Sequence, residues 1–388
     1  MRLKNPNARS SPPPPVPAGV AVRSGRRRLW IALAVLVPLL GAAGWGAWAV
    51  WGPDPLREVH AALDRREFAG ASELLEKHLK ENPGDAEARL LAARAARRGG
   101  HFVRASEHLT AYTAQNRPND TYALEVRLLN VQQGHMGDAD RLLNAYTERS
   151  GSPDAPLVME AYLEGALRAL SPAPDKRFDV ETGDPAVLAR LYGAADAWAA
   201  SRPGRADQIQ GLIWQGRAHM YGLDHATSVA QLRRALALDP DHFDARFYLA
   251  IALGQEAPGE SVAHFEALLK RKPDDRLLRH YLATAHRTLG HAVEARRLLE
   301  ETLGRHPDEL AALVELGLLD LDEGKVAAAE PRLRRALELA PNLPETNIAM
   351  SRCQQLAGRP DEAAKYRKRF DEIEAERKKP RGPVAPRP

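Results

Sequence analysis

The chain has 388 residues, of which 44% are hydrophobic and only 6% are aromatic, so most of its apolar residues are Ala and Leu. These two residues are strong helix formers, and runs of Val, Ile and aromatic residues typical of strands are nearly absent, so the composition predicts an all-α protein. The single cysteine, Cys353, excludes a disulfide framework and a cysteine-ligated zinc site, and we expect it to be a small packing residue.

The formal net charge of +4 comes from the two tails. Residues 1–28 contain seven basic and no acidic residues, and residues 378–388 contain four basic and no acidic residues. Both tails are rich in proline and lack apolar periodicity, so we predict that they are disordered. The region between them is mildly acidic, which argues against nucleic acid as a partner.

Residues 29–51 form an uncharged apolar segment, LWIALAVLVPLLGAAGWGAWAVW. At about 1.5 Å per residue, a helix of this length spans a hydrocarbon core of about 30 Å. Tryptophans stand at both ends of the segment, where indole rings prefer the headgroup layer. We therefore predict a single transmembrane helix.

Arg26, Arg27 and Arg28 directly precede this segment, and no positive excess follows it. The positive-inside rule therefore places residues 1–28 in the cytoplasm and the rest of the chain on the periplasmic or other extracytoplasmic side. A cleaved signal peptide is the alternative, because residues 47–49 (Ala-Trp-Ala) match a small-x-small cleavage pattern. The apolar stretch exceeds the usual signal-peptide core of about 7–15 residues, which favours a retained anchor.

After the apolar segment, short amphipathic helical stretches alternate with turns, and a proline closes each unit. The clearest of these prolines are Pro240, Pro273, Pro307 and Pro341, at spacings of 33, 34 and 34 residues. A period of this size is typical of a helix-turn-helix solenoid.

Small side chains recur at fixed distances from these prolines, where the two helices of a unit must cross closely. Ten residues after the prolines stand Ala250, Ala283, Gly317 and Ser351, and about twenty-two residues after them stand Ser261, Ala295, Ala329 and Ala363. Between the two helices, we predict that Gly324 and Gly358 supply the positive φ that ends the first helix.

In its period, small-residue positions and closing prolines, the chain resembles the tetratricopeptide repeat family. The resemblance is strong over residues 208–377 and extends over residues 53–150. Between them, residues 171–185 (SPAPDKRFDVETGDP) break the period, which indicates an atypical helical unit with an inserted loop at residues 151–207. The resemblance implies a right-handed helical solenoid of about eight or nine helix pairs.

The resemblance also implies a concave surface, lined by the first helix of each unit, that binds protein or peptide partners. The candidate residues are Leu90, Arg94, Arg97, Ile213, Arg217, Met220, Phe247, Ile251, His280, Arg287, Val314, Leu318, Ile348 and Arg352. Arg94, Arg217 and Arg352 fall at equivalent places in three units, and arginine pairs bidentately with carboxylates, so an acidic or extended peptide is a candidate ligand. The alternative is that these arginines hydrogen-bond neighbouring repeats.

The sequence contains none of the motifs that carry common catalytic chemistry: GxxxxGK[ST], GxGxxG after a strand, or GxSxG. His280, His286 and His291 are close in sequence, but spacings of six and five residues do not stack two imidazoles on one helix face, so we predict no metal site. We expect no catalytic residues, no cofactor and no enzymatic activity.

Together these features predict a membrane-anchored scaffold or adaptor that mediates protein–protein interactions in the cell envelope. One alternative is a secreted soluble binding module, released by cleavage near Ala49. Another is a non-catalytic accessory subunit of an envelope enzyme or assembly complex. Self-association of the chain through the transmembrane helix or the repeats stays open.

Overall fold

A computed structural model describes residues 56–147, 152–170, 185–254 and 256–377. The chain divides into a first unit, residues 1–57, and a second unit, residues 58–388, which contains nearly all of the described residues. The predicted transmembrane segment, both tails and most of the predicted loop at residues 171–185 lie outside the described residues. Within the described ranges, no helix combines the length and the apolar character that crossing a membrane requires.

The described residues form eighteen helices and no strand, which confirms the all-α prediction. The helices are α1 (Arg57–Asp64), α2 (Phe68–Glu81), α3 (Ala86–Arg98), α4 (Phe102–Gln115), α5 (Asp120–Gln132), α6 (Ala139–Thr147), α7 (Ala155–Leu170), α8 (Pro185–Ser201), α9 (Arg205–Tyr221), α10 (His225–Leu238), α11 (Phe243–Leu253), α12 (Pro258–Arg271), α13 (Arg276–Thr288), α14 (Ala292–Arg305), α15 (Leu310–Asp322), α16 (Val326–Leu339), α17 (Pro344–Leu356) and α18 (Pro360–Arg377). They make nine successive pairs, in agreement with the predicted eight or nine.

The turn inside a pair is short because its central residue adopts a positive φ. Gly324 and Gly358 have φ of 74° and 73°, as predicted, and Gly100, Gly134 and Gly290 occupy the same place in other pairs. Glycine is favoured there because a Cβ atom disfavours this left-handed region. Two pairs place a larger residue at this position: Arg66 with φ of 61° and Leu223 with φ of 62°.

The prolines that define the period lie two residues before the N-cap of the next first helix. In two of these caps, and in the equivalent cap after Pro83, a side chain satisfies a free backbone N–H of the following helix: His242 accepts from Ala245, Asp275 from Leu278, and Asp85 from Ala88. A proline fits this connection because it cannot continue the preceding helix.

Small residues lie where the two helices of a pair cross, as the sequence predicts. A Cβ atom added to Gly317 on α15 would lie 2.7 Å from Leu333 on α16, far inside normal contact distance. At the same crossing in other pairs, the Ser261 hydroxyl donates to the carbonyl of Ala250 (2.7 Å) and the Ser351 hydroxyl to that of Ala363 (2.8 Å). Cys353 is fully buried beside this crossing in the last pair, which confirms its packing role.

The third pair departs from the regular pattern. Helix α5 packs directly against α7, and α6 packs on α7 as well. The approach is so close that a Cβ atom added to Gly165 on α7 would lie 2.0 Å from the backbone carbonyl oxygen of Val131 on α5. The resulting core contains two tryptophans, Trp198 and Trp214, whose rings meet edge to face at 4.6 Å.

A fully buried carboxylate on α7 joins the first two pairs to the fourth. Glu160 accepts hydrogen bonds from Arg98 of α3 at 2.8 and 2.9 Å, and from Arg66 of the α1–α2 turn at 3.2 Å. Burial by itself would raise the pKa of Glu160, but the charges of Arg66 and Arg98 outweigh it and hold that pKa well below its ordinary value. The carboxylate is therefore ionised in the folded protein.

The Arg66 guanidinium is also held by aromatic rings. It lies 5.6 Å from the ring centroid of Trp198 and 5.5 Å from that of Trp214, and 3.7 Å from Asp207 on α9. Burial raises the pKa of Asp207, and the neighbouring arginines oppose that rise only in part. These contacts explain why an arginine occupies a position that favours glycine: its side chain reaches a site that no glycine could fill.

We predict that Gly165→Ala destabilises the protein by about 1–3 kcal/mol, because the new methyl group must push the backbones of α5 and α7 apart. Urea unfolding followed by circular dichroism measures the change. Gly193→Ala on α8 is the matched control, since a Cβ atom there meets nothing within 4 Å. The control should stabilise α8 by about 0.5–1 kcal/mol through helix propensity. Equal effects of the two substitutions would contradict the close α5–α7 approach.

Candidate protein-binding surface

The fourteen predicted surface residues fall into three groups by exposure. Six are buried: Leu90, Arg97, Ile213, Arg217, Met220 and Val314. Seven are partly exposed: Arg94, Phe247, Ile251, His280, Arg287, Leu318 and Ile348, and one, Arg352, is exposed. The apolar buried residues belong to the cores between repeats. The repeat period selects one face of each first helix, and part of that face packs on the next pair.

In the second pair, the predicted arginines bind a carboxylate of the neighbouring repeat. Arg97 donates to Glu125 of α5 at 3.0 Å, and Arg94 donates to the same carboxylate at 2.5 Å. Burial would raise the pKa of Glu125, but these two arginines lower it below its ordinary value. A buried ionised pair of this kind holds α3 against α5.

The arginines of later pairs repeat this arrangement. Arg287 of α13 donates to Glu315 of α15 at 3.0 Å and to Asp322 at 3.2 Å. Arg352 of α17 donates to the other oxygen of Asp322 at 2.8 Å. Each carboxylate comes from the first helix of an adjacent pair, so the hydrogen bonds to neighbouring repeats that the sequence left as an alternative are present.

Arg217 on α9 has a weaker set of contacts. Its guanidinium lies 3.7 Å from Glu164 and 4.5 Å from the ring centroid of Tyr248. Glu164 accepts a shorter hydrogen bond, 2.7 Å, from the indole of Trp214. The three arginines that are equivalent in sequence therefore differ in the structure: Arg217 is buried against an aromatic ring, whereas Arg94 and Arg352 reach solvent.

An aromatic cluster occupies the middle of the array. Phe247 of α11, a predicted surface residue, contacts Tyr281 of α13 with ring centroids 5.6 Å apart. Phe265 of α12 stacks on Tyr281 at 5.6 Å with an interplanar angle of 4°. His280, also predicted, lies beside Tyr281 at 5.3 Å. Phe265 is buried in the core between repeats, whereas Phe247, His280 and Tyr281 are partly exposed.

One recess brings several predicted residues together. Leu318 of α15 and Ile348 and Arg352 of α17 line a recess of about 480 Å³, with Leu356 and Arg367 at its side. Leu356 is 52% exposed, which is unusual for a large apolar side chain. Leu356 and Arg367 were not predicted from the sequence, although Leu356 lies on the same face of α17 as Ile348 and Arg352. Arg367 lies on α18, the second helix of its pair, whereas the predicted concave surface includes only first helices.

No three or more His, Cys, Asp or Glu side chains converge to hold a metal ion anywhere in the part of the chain that the structure describes. The carboxylates on the first helices are mostly taken up by arginines of adjacent repeats. The recess at α15, α17 and α18 instead offers apolar and cationic groups, which suit a peptide or protein segment.

Two family models of the tetratricopeptide repeat match the chain. One matches residues 62–128 and 320–373, and the other matches residues 215–276 and 280–344, so together they cover more than half of the chain. The chain is a tetratricopeptide repeat protein. The stretch between the matched parts contains α6, α7 and α8, where the third and fourth repeats depart from regular packing.

Several solved structures are similar to parts of this repeat array. A crystal structure of the MamA protein is 16% identical, covering 46% of this chain and 98% of its own, with a TM-score of 0.35. MamA from AMB-1 is 21% identical over 42% of this chain and 98% of its own, with a TM-score of 0.34. PilF of Pseudomonas aeruginosa is 21% identical over 44% of this chain and 78% of its own, with a TM-score of 0.38. No curated protein matches the chain.

We predict that Arg217→Met costs about 2 kcal/mol of unfolding free energy, because it removes the buried cation that pairs with Glu164 and packs on the ring of Tyr248. Arg352→Met should cost less than about 1 kcal/mol, because Arg352 and Asp322 form an exposed pair. Urea unfolding of the two variants tests this difference between repeats. A loss for Arg352→Met as large as that for Arg217→Met would contradict the assignment of Arg352 to an open surface.

Proposed function

We propose that this protein is a membrane-anchored, non-catalytic scaffold that binds protein segments in the cell envelope. The observation that carries the proposal is the recess at α15, α17 and α18, which is lined by the predicted surface residues Leu318, Ile348 and Arg352 and by the exposed side chain of Leu356. Tetratricopeptide repeats generally act as scaffolds for other proteins, which supports the same function.

The recess indicates the chemistry of its partner. Leu318, Ile348 and Leu356 give it an apolar floor, and the guanidinium groups of Arg352 and Arg367 lie at its rim. Arg352 is 47% exposed although it pairs with Asp322, and Arg367 is 60% exposed beside Asp371. A segment with one or two apolar side chains next to a carboxylate would bury the leucines and bind the exposed arginine N–H groups.

The anchor in this proposal is the apolar segment at residues 29–51, which precedes the described residues. Its length and its flanking arginines support a single span with the repeats on the extracytoplasmic side. Cleavage after Ala49 would instead release the repeats as a soluble binding module. The binding surface is the same in both cases, so the recess and the anchor are tested separately.

We predict that a photo-crosslinking amino acid at position 348 forms a discrete protein adduct in intact cells, because Ile348 lines the recess. Mass spectrometry of the adduct identifies the partner. The adduct should weaken at least tenfold when Arg352 is replaced by Ala in the same chain, since a carboxylate contact would be lost. The matched control position is Ala327 on α16, which is exposed but lies outside the recess.

An adduct of equal yield at positions 348 and 327, or one unaffected by Arg352→Ala, would refute binding in the recess. External protease added to spheroplasts tests the location at the same time: the repeats should be digested while residues 1–28 are protected. Complete protection of the repeats would refute their extracytoplasmic placement, and an N-terminus beginning after Ala49 would replace the anchor by the soluble alternative.

A further inference from the structure

The guanidinium group of Arg66 is surrounded by carboxyl groups and aromatic rings from three other helices. Two of its nitrogens face the two carboxylate oxygens of Glu160 on α7, at 3.2 and 3.5 Å, and one lies 3.7 Å from Asp207 on α9. Its central carbon lies 5.6 Å from the ring centroid of Trp198 on α8 and 5.5 Å from that of Trp214 on α9. Paired carboxylate oxygens and aromatic rings are the groups that bind guanidinium best. Arg66 is therefore held as an arginine ligand would be.

The walls of this site are held in place by contacts that do not involve Arg66. The two tryptophans belong to a buried core that α5 to α9 build, and no buried residue of that core comes from α1, α2 or the turn between them. The Trp214 indole donates to Glu164 at 2.7 Å, and Glu160 accepts two further hydrogen bonds from Arg98. A site whose walls are already ordered binds its ligand without the cost of ordering them.

The turn itself does not require an arginine. Glycine occupies the equivalent position in five other pairs, and Arg66 adopts its φ of 61° although a Cβ atom disfavours that region. The side chain of Arg66 is 12% exposed, so the site is not sealed from solvent. Without Arg66, Glu160 would keep Arg98 as its partner, whereas Asp207 would lose the nearest cation that the described residues provide. The emptied site would therefore attract another cation.

We propose that Glu160, Asp207 and the two tryptophans form a binding site for an arginine side chain, which Arg66 occupies as an intramolecular ligand. An arginine on an exposed segment of a partner protein would compete with Arg66 for this site. A lysine would fit less well, because its ammonium group is a point charge that cannot face both oxygens of a carboxylate as a planar guanidinium does. The site lies on α7, α8 and α9 and is separate from the recess at α15, α17 and α18.

The competing explanation is that Arg66 forms only a structural ion pair. In that case the surrounding side chains would close the space when the arginine is removed, and an arginine from another molecule could not enter. Binding of an arginine peptide to a variant without this side chain distinguishes the two explanations.

The experiment is a tryptophan-fluorescence titration of the purified full-length Arg66→Gly variant with the peptide acetyl-Gly-Gly-Arg-Gly-Gly-amide. We expect saturable binding that is about tenfold tighter, or more, than binding to the wild-type chain, where Arg66 competes at a high effective concentration. The same peptide with lysine in place of arginine should bind about tenfold more weakly. The thermal unfolding midpoint of Arg66→Gly should rise with the arginine peptide, since a ligand that binds only the folded state stabilises it.

Arg65→Gly is the matched control, because it removes an arginine from the same turn that is exposed and pairs with the exposed Glu67. It should bind the arginine peptide no more tightly than the wild-type chain does. Glycine readily adopts a positive φ, so circular dichroism should show that Arg66→Gly folds. Arg66→Asn is a second open variant, since asparagine also tolerates this backbone region.

The proposal is overturned if neither variant of Arg66 binds the arginine peptide more tightly than the wild-type chain does. It is also overturned if the lysine peptide binds them equally well, or if Arg65→Gly gains the same affinity. None of these results would affect the recess.

Discussion

The arrangement of the first four repeats depends on the burial of one ionised carboxylate, that of Glu160. Removing a carboxylate from water costs several kcal/mol unless cations and hydrogen bonds replace the water. Here Arg98 and Arg66 supply them, and Arg66 comes from a turn 94 residues earlier in the chain. To do so, Arg66 adopts a left-handed backbone conformation that costs about 1 kcal/mol. The ion pairs thus hold the first turn against α7, where packing of adjacent repeats alone would not require it.

Carboxylates elsewhere in the array are likewise paired with arginines of neighbouring repeats. Glu125, Glu315 and Asp322 stand on first helices, and each is met by an arginine from a first helix of an adjacent pair. On the second helices, Arg296 of α14 binds the fully buried Asp320 at 2.7 Å. These pairs join the carboxylates of the first helices to arginines of neighbouring repeats, whereas Arg352 and Arg367 beside the recess stay partly exposed.

Much of the fold follows from local sequence. The prolines mark the caps of the first helices, Gly324 and Gly358 mark the turns, and Gly317 marks a crossing, because each of these positions has a backbone or steric requirement that few residues meet. What could not be predicted depends on contacts between distant residues. Nothing near Arg66 in sequence shows that it will occupy a glycine position to reach Glu160.

The candidate site was predictable in outline only. The period correctly assigns residues to first helices, yet it does not distinguish a face that packs on the next repeat, such as that of Ile213, from one that stays open, such as that of Ile348. His286 and His291, whose Nδ1 atoms are 3.4 Å apart, form a contact that was not predicted for a related reason. Helical spacing describes neighbours within a helix, whereas these two side chains meet across the turn between α13 and α14.

The most direct test of the Glu160 account is a double-mutant cycle on unfolding free energy with Arg66→Gly and Glu160→Gln. The cycle cancels the separate effects of relieving the positive φ at Arg66 and of neutralising the carboxylate, and it leaves their interaction. We expect a coupling free energy above about 1 kcal/mol, since the two groups are buried and hydrogen-bonded. A coupling within about 0.5 kcal/mol of zero would mean that the two residues act independently and that this contact does not hold the first turn against α7.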